Sequence, residues 1–382
     1  MAQTVCGRPH GLTGGAQGLY AVSLDQNKKR RQKVRTKHVS SVLLLILLVT
    51  LIALPSFIIT ITSQTASANP SSENFTIVVL PDTQYYSESY PWIFENQTKW
   101  IVQNKDEKNI VFVIHLGDIV EYNDNDYQWQ NANNAMSILD GKVPYGILPG
   151  NHDLSGNGAV EYEKYFPASR YEGYSYWGGS YDSNYVTSLS PNMNNYQLFS
   201  AGGMDFIALN LQNGAPIDVL DWADNVLDKY SDRRAIISTH MYLDWDGSRM
   251  GIGELIWENL VVPHKNVFLV LCGHIPGETE RSDNLDNRTV YQLLSDYQSY
   301  YNNGGNGWLR IMEFVPSENK IYVKTYSPYL DQYWTDSHSQ FELYYPMNPT
   351  VATAGGISPW VYVGTMIVIV VIIAAVLMLT VV

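Results

Sequence analysis

The 382-residue chain holds two cysteines, Cys6 and Cys272, and that scarcity removes two kinds of architecture. A domain stapled by disulfides needs paired thiols, and a thiolate metal centre needs a cluster of them. Neither is available, so the fold must be held by an apolar core. Positive charge is almost as scarce outside one place. Residues 1–40 carry eight Lys and Arg against the single acid Asp25, seven of them in KKRRQKVRTK. Of the chain's 24 basic and 37 acidic residues, this leaves sixteen against thirty-six, an excess of about twenty negative charges. A field of that sign repels polyanions, so no nucleic-acid partner is expected. Internal repeats and low-complexity tracts are missing as well, so no array architecture is expected.

Two uncharged apolar runs stand out. Residues 42–62, VLLLILLVTLIALPSFIITIT, and residues 360–382 are each long enough, at ~1.5 Å per residue, to cross a ~30 Å hydrocarbon layer. The basic stretch just before the first run predicts a cytoplasmic N-terminus and places the domain downstream of that run outside. Ala66-Ser67-Ala68 has the small-x-small form of a signal-peptidase site, so the first run reads either as a cleaved leader or as a retained anchor. The expected organisation is a basic cytoplasmic segment (1–41), a transmembrane anchor or signal peptide (42–62), an extracytoplasmic domain (70–346), a linker (347–359) and a transmembrane helix (360–382). The protein is then expected at the cell membrane, with Cys6 and Cys272 on opposite sides of it. Sequons at Asn74, Asn96 and Asn287 fit an exported surface.

Within the external domain, five apolar, β-branched runs end on Asp, Asn or His: FTIVVLPDTQ, IVFVIHLGD, PYGILPGNHD, RAIISTH and VFLVLCGH. Between them lie segments of helical spacing, such as PWIFENQTKWIVQNK and PIDVLDWADNVLDKY. Strands alternating with helices predict a largely parallel sheet, whose ligands bind beyond the carboxyl ends of the strands. All five polar ends would then face one crevice. A second strand-rich set comprises the hairpin NYQLFSAGGMDFIALNL and the runs TVYQLLSDYQ, WLRIMEFVP and KIYVKTYSP, read as antiparallel strands of a second, packed sheet. Residues 154–195, rich in Gly, Ser, Tyr and Asn, read as a long ordered loop beside the crevice.

The strand ends deliver Asp82, Asp118, Asn151, His152, Asp153, His240 and His274. Carboxylates, an amide oxygen and two imidazoles are ligands for a borderline divalent ion such as Zn, Mn or Fe. Two carboxylates sharing a site would repel each other, and a cation removes that objection. The order D-x-Q, G-D, G-N-H-D, a lone His and G-H resembles the calcineurin-like metallophosphoesterases over about residues 75–327. LGDIVEY, then LPGNHD, then the two histidines carry the likeness. The resemblance implies an α/β fold of two packed mixed sheets flanked by helices, a four-layer sandwich. It also implies two divalent ions (Mn, Fe or Zn) and a phosphate-ester substrate. The second ion would be held by Asp118, Asn151, His240 and His274, and the first by Asp82 with Asp118 as bridge. Two ions ~3.5–4 Å apart clamp a phosphoryl group, while His152, backed by Asp153, would serve the leaving oxygen.

The departures from that pattern fall on one side. Gln84 stands where the family has His, and Pro276 stands in GHIP where it has a second His. The first site therefore keeps carboxylates and gains at best the amide oxygen of Gln84, which predicts weaker binding and a preference for harder ions. Glu278 is a candidate replacement ligand, Glu280 lies close by, and Arg281 is a candidate phosphate contact. The activity implied is metal-dependent hydrolysis of phosphate mono- or diesters; the alternative is a weak or inactive phosphate-binding surface domain that keeps only the second ion. Taken alone, Asp82 would read as a turn residue and His240 as a core histidine. His115 reads as structural rather than liganding. The 28 tyrosines are ordinary filler for strands and half-exposed surfaces.

Overall fold

The computed structural model describes residues 29–30, 32–33, 73–156, 158–181, 192–300 and 302–347. The apolar runs at 42–62 and 360–382 and the small-x-small site lie outside the described residues, as does nearly all of the basic segment. Among the described residues, no helix is long and apolar enough to cross a membrane.

Two seven-stranded mixed sheets build the domain. The first contains β1 (Phe75–Leu80), β2 (Ile110–His115), β3 (Tyr145–Gly146), β11 (Leu309–Val315), β12 (Lys320–Ser327), β13 (Gln332–Trp334) and β14 (Gln340–Tyr344). β1, β2 and β3 run parallel, and β11 closes on β1 antiparallel. The second sheet contains β4 (Trp177–Ser180), β5 (Asn195–Ala201), β6 (Met204–Leu211), β7 (Arg234–Thr239), β8 (Val267–Cys272), β9 (Gly277–Leu285) and β10 (Arg288–Asp296). Here β6, β7, β8 and β10 are parallel neighbours, and β9 forms the edge.

Side chains alternate along each strand, so a strand buried on both faces must be apolar throughout. In β1, Ile77 and Val79 enter the core between the sheets, with Phe112, Ile114, Phe206, Ile236, Leu269, Met312 and Phe314. Val78 and Leu80 point the other way. They meet Ile93, Phe94 and Ile101 of α1 (Pro91–Gln103) and Trp129 and Ala132 of α2 (Asp126–Met136). The outer face of the second sheet is covered by α4 (Ile217–Lys229), whose buried Val219, Leu220, Ala223, Val226 and Leu227 form one helical stripe. The layers are helix, sheet, sheet, helix, as expected for two mixed sheets flanked by helices.

The partition of strands differs from the sequence expectation. The five chemistry-bearing runs do not share a sheet: 75–80, 110–115 and 145–146 lie in the first, 234–239 and 267–272 in the second. The 195–211 hairpin joins the second sheet, and 309–315 and 320–327 join the first. Residues 288–296 run parallel to β8, not antiparallel. An apolar strand covered on both faces carries no mark of which sheet it enters, so composition could not assign it. The intervening β9, GETERSDNL, is a polar edge strand that an apolar reading passes over. Residues 154–195 are not all loop, since α3 (Gly158–Tyr165) and β4 lie within them. One expectation survives the change of sheet: the carboxyl ends of β1, β2, β7 and β8 open on a common edge.

Candidate metal centre

β1 ends at Leu80 and β2 at His115, a pair in register, and each strand delivers a carboxylate within three residues. The chain after β2 turns sharply, with Asp118 at φ +46°, a conformation disfavoured for residues with a Cβ. Two contacts hold it: the Asp118 carbonyl accepts from the Thr83 amide at 3.0 Å, and its Oδ1 accepts from the His152 amide at 2.9 Å. Gly150 is required beside it, because a Cβ there would collide with the backbone and carboxylate of Asp118. His274 is the other ligand candidate at positive φ, +73°. At the preceding Gly273 a Cβ would run into Asp82 Oδ1 and force that carboxylate to move. The glycines of G-D, G-N-H-D and G-H thus let strand ends from two sheets close on one another.

His240, fully buried at the end of β7, fixes the centre. Its Nδ1 lies 2.9 Å from the Leu116 carbonyl and so carries the proton, which leaves the Nε2 lone pair free. That Nε2 lies 2.9 Å from Asn151 Oδ1, 3.2 Å from Asp118 Oδ2 and 3.2 Å from His274 Nδ1. The ligand atoms of Asp118, His240 and His274 all fall within 4.8 Å of one another. With its proton on Nδ1, His240 has nothing to donate to these neighbours; a cation among the four ligand atoms would resolve the crowding, and two imidazoles, a carboxylate and an amide oxygen suit a borderline divalent ion. Without a cation, burial opposes charging His240, but the carboxylates of Asp118 and Asp82 prevail and hold its pKa well up. Burial likewise raises Asp118, but the His240 imidazole outweighs it and keeps the carboxyl below its usual range.

The other half of the crevice is built differently. Asp82, 2% exposed, accepts from the His274 amide at 3.2 Å. Burial, and then the charge of Asp296 and that of Asp118, push its pKa well above the carboxylate range. Gln84 donates from Nε2 to Glu121 Oε2 at 2.7 Å, which orients the amide, and its buried Oε1 has no hydrogen-bond partner. Pro276 is exposed and offers nothing to the crevice. Gln84 Oε1 is therefore a buried oxygen that no donor of the described residues answers.

His152 is half-buried. Its Nδ1 lies 3.0 Å from the Glu121 carbonyl and 3.3 Å from Glu121 Oε2. Burial lowers its pKa, but Glu121 and Asp118 outweigh that and raise it. Asp153, expected to back His152, acts on it through its charge, and its hydrogen bonds go elsewhere. Asp153 accepts from the amides of Ile119, Val120 and Gly150 at 2.8–3.0 Å and ties the two motif loops together, and the residue behind His152 is Glu121. No sequence pattern singles out Glu121, because it acts through a backbone carbonyl as much as through its carboxylate.

Three further candidates find other partners. Glu278 accepts from Tyr297, Thr325 and Ser339 and pairs with the buried Arg310 at 3.1 Å. Glu280 meets His338, and Arg281 is taken up by Asp283 and the Gly247 carbonyl. Their neighbours in sequence suggested proximity to the ions, but β9 carries them into other networks. His115 is structural: Nε2 meets Thr83 Oγ1 at 3.0 Å, Nδ1 accepts from the Gly117 amide, and burial lowers its pKa to about 3.

The family description Calcineurin-like phosphoesterase matches residues 75–278, which include Asp82, Asp118, Asn151, His240 and His274. The chain belongs to the calcineurin-like phosphoesterases. It is 38% identical over 298 residues to the uncharacterized protein YvnB of Bacillus subtilis (strain 168), covering 74% of this chain but only 22% of that one. Among solved structures it is similar to GAP50, the anchor in the inner membrane complex of Plasmodium (14% identity, 74% of this chain and 93% of that one, TM-score 0.45). It is also similar to purple acid phosphatase PPD1 from yellow lupin (Lupinus luteus) seeds (13% identity, 72% and 54%, TM-score 0.46). Calcineurin-like phosphoesterases typically bind divalent metals, and Asp118, His240 and His274 form a group that could hold one.

Proposed function

We propose that the protein hydrolyses phosphate mono- or diesters with two bound divalent cations, anchored in the cell membrane with its site on the extracytoplasmic side. The observation that carries this reading is the convergence of Asp118, Asn151, His240 and His274 from four separate segments onto one point. The membrane placement rests on the apolar runs at 42–62 and 360–382 and on the basic stretch before the first.

Bound divalent cations supply Lewis-acid polarisation of phosphoryl oxygens and a water acidified toward neutral pH. The chain does the rest. Asp118, Asn151, His240 and His274 would hold one cation and Asp82 the other, with Asp118 available to both. The Leu116 carbonyl keeps the His240 proton on Nδ1 and so keeps Nε2 available. His152 is pinned through Nδ1 by Glu121, which leaves Nε2 to meet a substrate oxygen. Its raised pKa favours the imidazolium form, which gives a proton to a departing alkoxide.

A second reading, a weak or inactive phosphate-binding surface domain with only the second cation, is favoured by Gln84 and Pro276 in place of histidines. Turnover of bis-p-nitrophenyl phosphate and p-nitrophenyl phosphate by the full chain in Mn, Zn, Fe or Co separates the two. Hydrolysis lost in Asp118→Asn supports the first reading. Tight metal binding without turnover in any of the four supports the second, and no metal binding at all removes both.

A further inference from the structure

β10 runs parallel beside β8, with Leu294 opposite Cys272. Two residues beyond that pair, β10 reaches Asp296 and the chain leaving β8 reaches His274, at the same edge of the sheet. Asp296 is fully buried. Its Oδ1 accepts from the Gln298 amide at 2.9 Å, the ordinary task of an aspartate at a strand-to-turn junction. Its Oδ2 is buried with no hydrogen-bond partner. In either protonation state that oxygen lacks what burial demands, an acceptor for its proton or a donor for its lone pairs.

Around it stand one counter-charge, His240, and further carboxylates. Asp296 is the strongest charged influence on Asp82, and Asp118 acts on both. No Lys or Arg stands among the strongest influences on Asp82, Asp118 or Asp296; His240 is the counter-charge common to all three. Three buried carboxylates thus share one imidazole as counter-charge, a deficit of positive charge that a divalent cation would offset.

We propose that Asp296 is a ligand of the first cation, replacing the imidazole lost at Pro276. The first site then has an all-oxygen set, Asp82, Gln84 Oε1, Asp118 and Asp296. Such a set takes a hard ion, Mn²⁺ or Mg²⁺, whereas the imidazole-bearing site takes a borderline one such as Zn²⁺. This rests on the metallophosphoesterase reading and adds to it the identity of a ligand and the class of its ion.

The test is metal binding by the purified full chain, with Mn²⁺ and Zn²⁺ as the probes, followed by titration calorimetry and elemental analysis. Wild type is expected to bind two ions. Asp296→Asn should keep the Zn²⁺-preferring site and weaken Mn²⁺ at the other by about a hundredfold or more. Because Asn can still accept from the Gln298 amide, the variant should melt at or above the wild-type temperature in chelator and gain less from Mn²⁺. Asp296→Glu should recover part of the Mn²⁺ binding. Two ions bound with unchanged affinity by Asp296→Asn, or a lower melting temperature in chelator with undiminished Mn²⁺ stabilisation, overturns the proposal but leaves the metallophosphoesterase reading standing. A single ion in wild type also overturns it. No ion in wild type removes both.

Discussion

The two halves of the crevice solve the same problem with different atoms. Around His240, imidazole nitrogens, an amide and a carboxylate converge, and the one buried carboxylate has an imidazole beside it even without metal. Around Asp82 the candidate ligand atoms are oxygens, the carboxylates Asp296 and Asp118 outweigh the one counter-charge of His240, and two buried oxygens have no hydrogen-bond partner. With its pKa held up by Asp118 and Asp82, His240 carries the balancing charge itself, so the first half tolerates the metal-free state. Oxygen clusters cannot, so under the proposed two-cation reading the second half is the one expected to gain stability from its cation.

The largest expected effect removes the member common to both halves. Asp118→Asn should abolish cation binding on both sides and reduce kcat/KM by at least about a thousandfold; retention of one tightly bound ion in that variant would break the claim that Asp118 is shared. Next in size, His152→Ala should leave metal content unchanged and lower kcat by about a hundredfold. The loss should be greater for alkyl esters than for p-nitrophenyl esters, whose leaving group needs little protonation; equal losses on both would deny His152 the role of acid.

Chelation sharpens the contrast between the halves. In metal-free protein the carboxyl of Asp296 is raised to about 7, mainly by burial, against an ordinary value of 3.8. The folded state then binds more protons than the unfolded state between those values, so the stabilisation present below about pH 4 is lost as pH rises toward 7, by up to about 1.4 kcal/mol per pH unit for one group. Melting temperatures in EDTA should fall over that range, and saturating Mn²⁺ should flatten the fall. A pH profile unaffected by Mn²⁺ would contradict the dependence assigned to the oxygen half. The smallest effect belongs to Gln84, a neutral amide: Gln84→Ala should weaken Mn²⁺ binding by less than about tenfold and barely alter Zn²⁺ binding, measured by the same titrations.

Much of this site was legible in the sequence because its ligands sit where strand periodicity breaks. Asp82, Asp118, Asn151, His240 and His274 each terminate an apolar run, and a polar residue there has no packing reason to exist. Asp296 and Glu121 escaped for opposite reasons. Asp296 also ends an apolar run, TVYQLLSD, but with that strand read as antiparallel its end pointed away from the crevice. Glu121 sits in a loop and acts through a contact to His152 that only the folded chain creates. Asp153 shows the converse. Its place in GNHD suggested a partner for His152, but its oxygens answer the unpaired amides of two loops, a demand no linear motif displays. The assignment of strands to sheets was hidden because both faces of each central strand are covered.

The metal chemistry stands on one coordination sphere. Anomalous diffraction from crystals of the full chain grown with Zn²⁺, collected across the zinc edge, tests it most directly. The expected result is a peak ~2.0–2.2 Å from Asp118 Oδ2, Asn151 Oδ1, His240 Nε2 and His274 Nδ1. A map with those four side chains in place and no anomalous peak between them would contradict it.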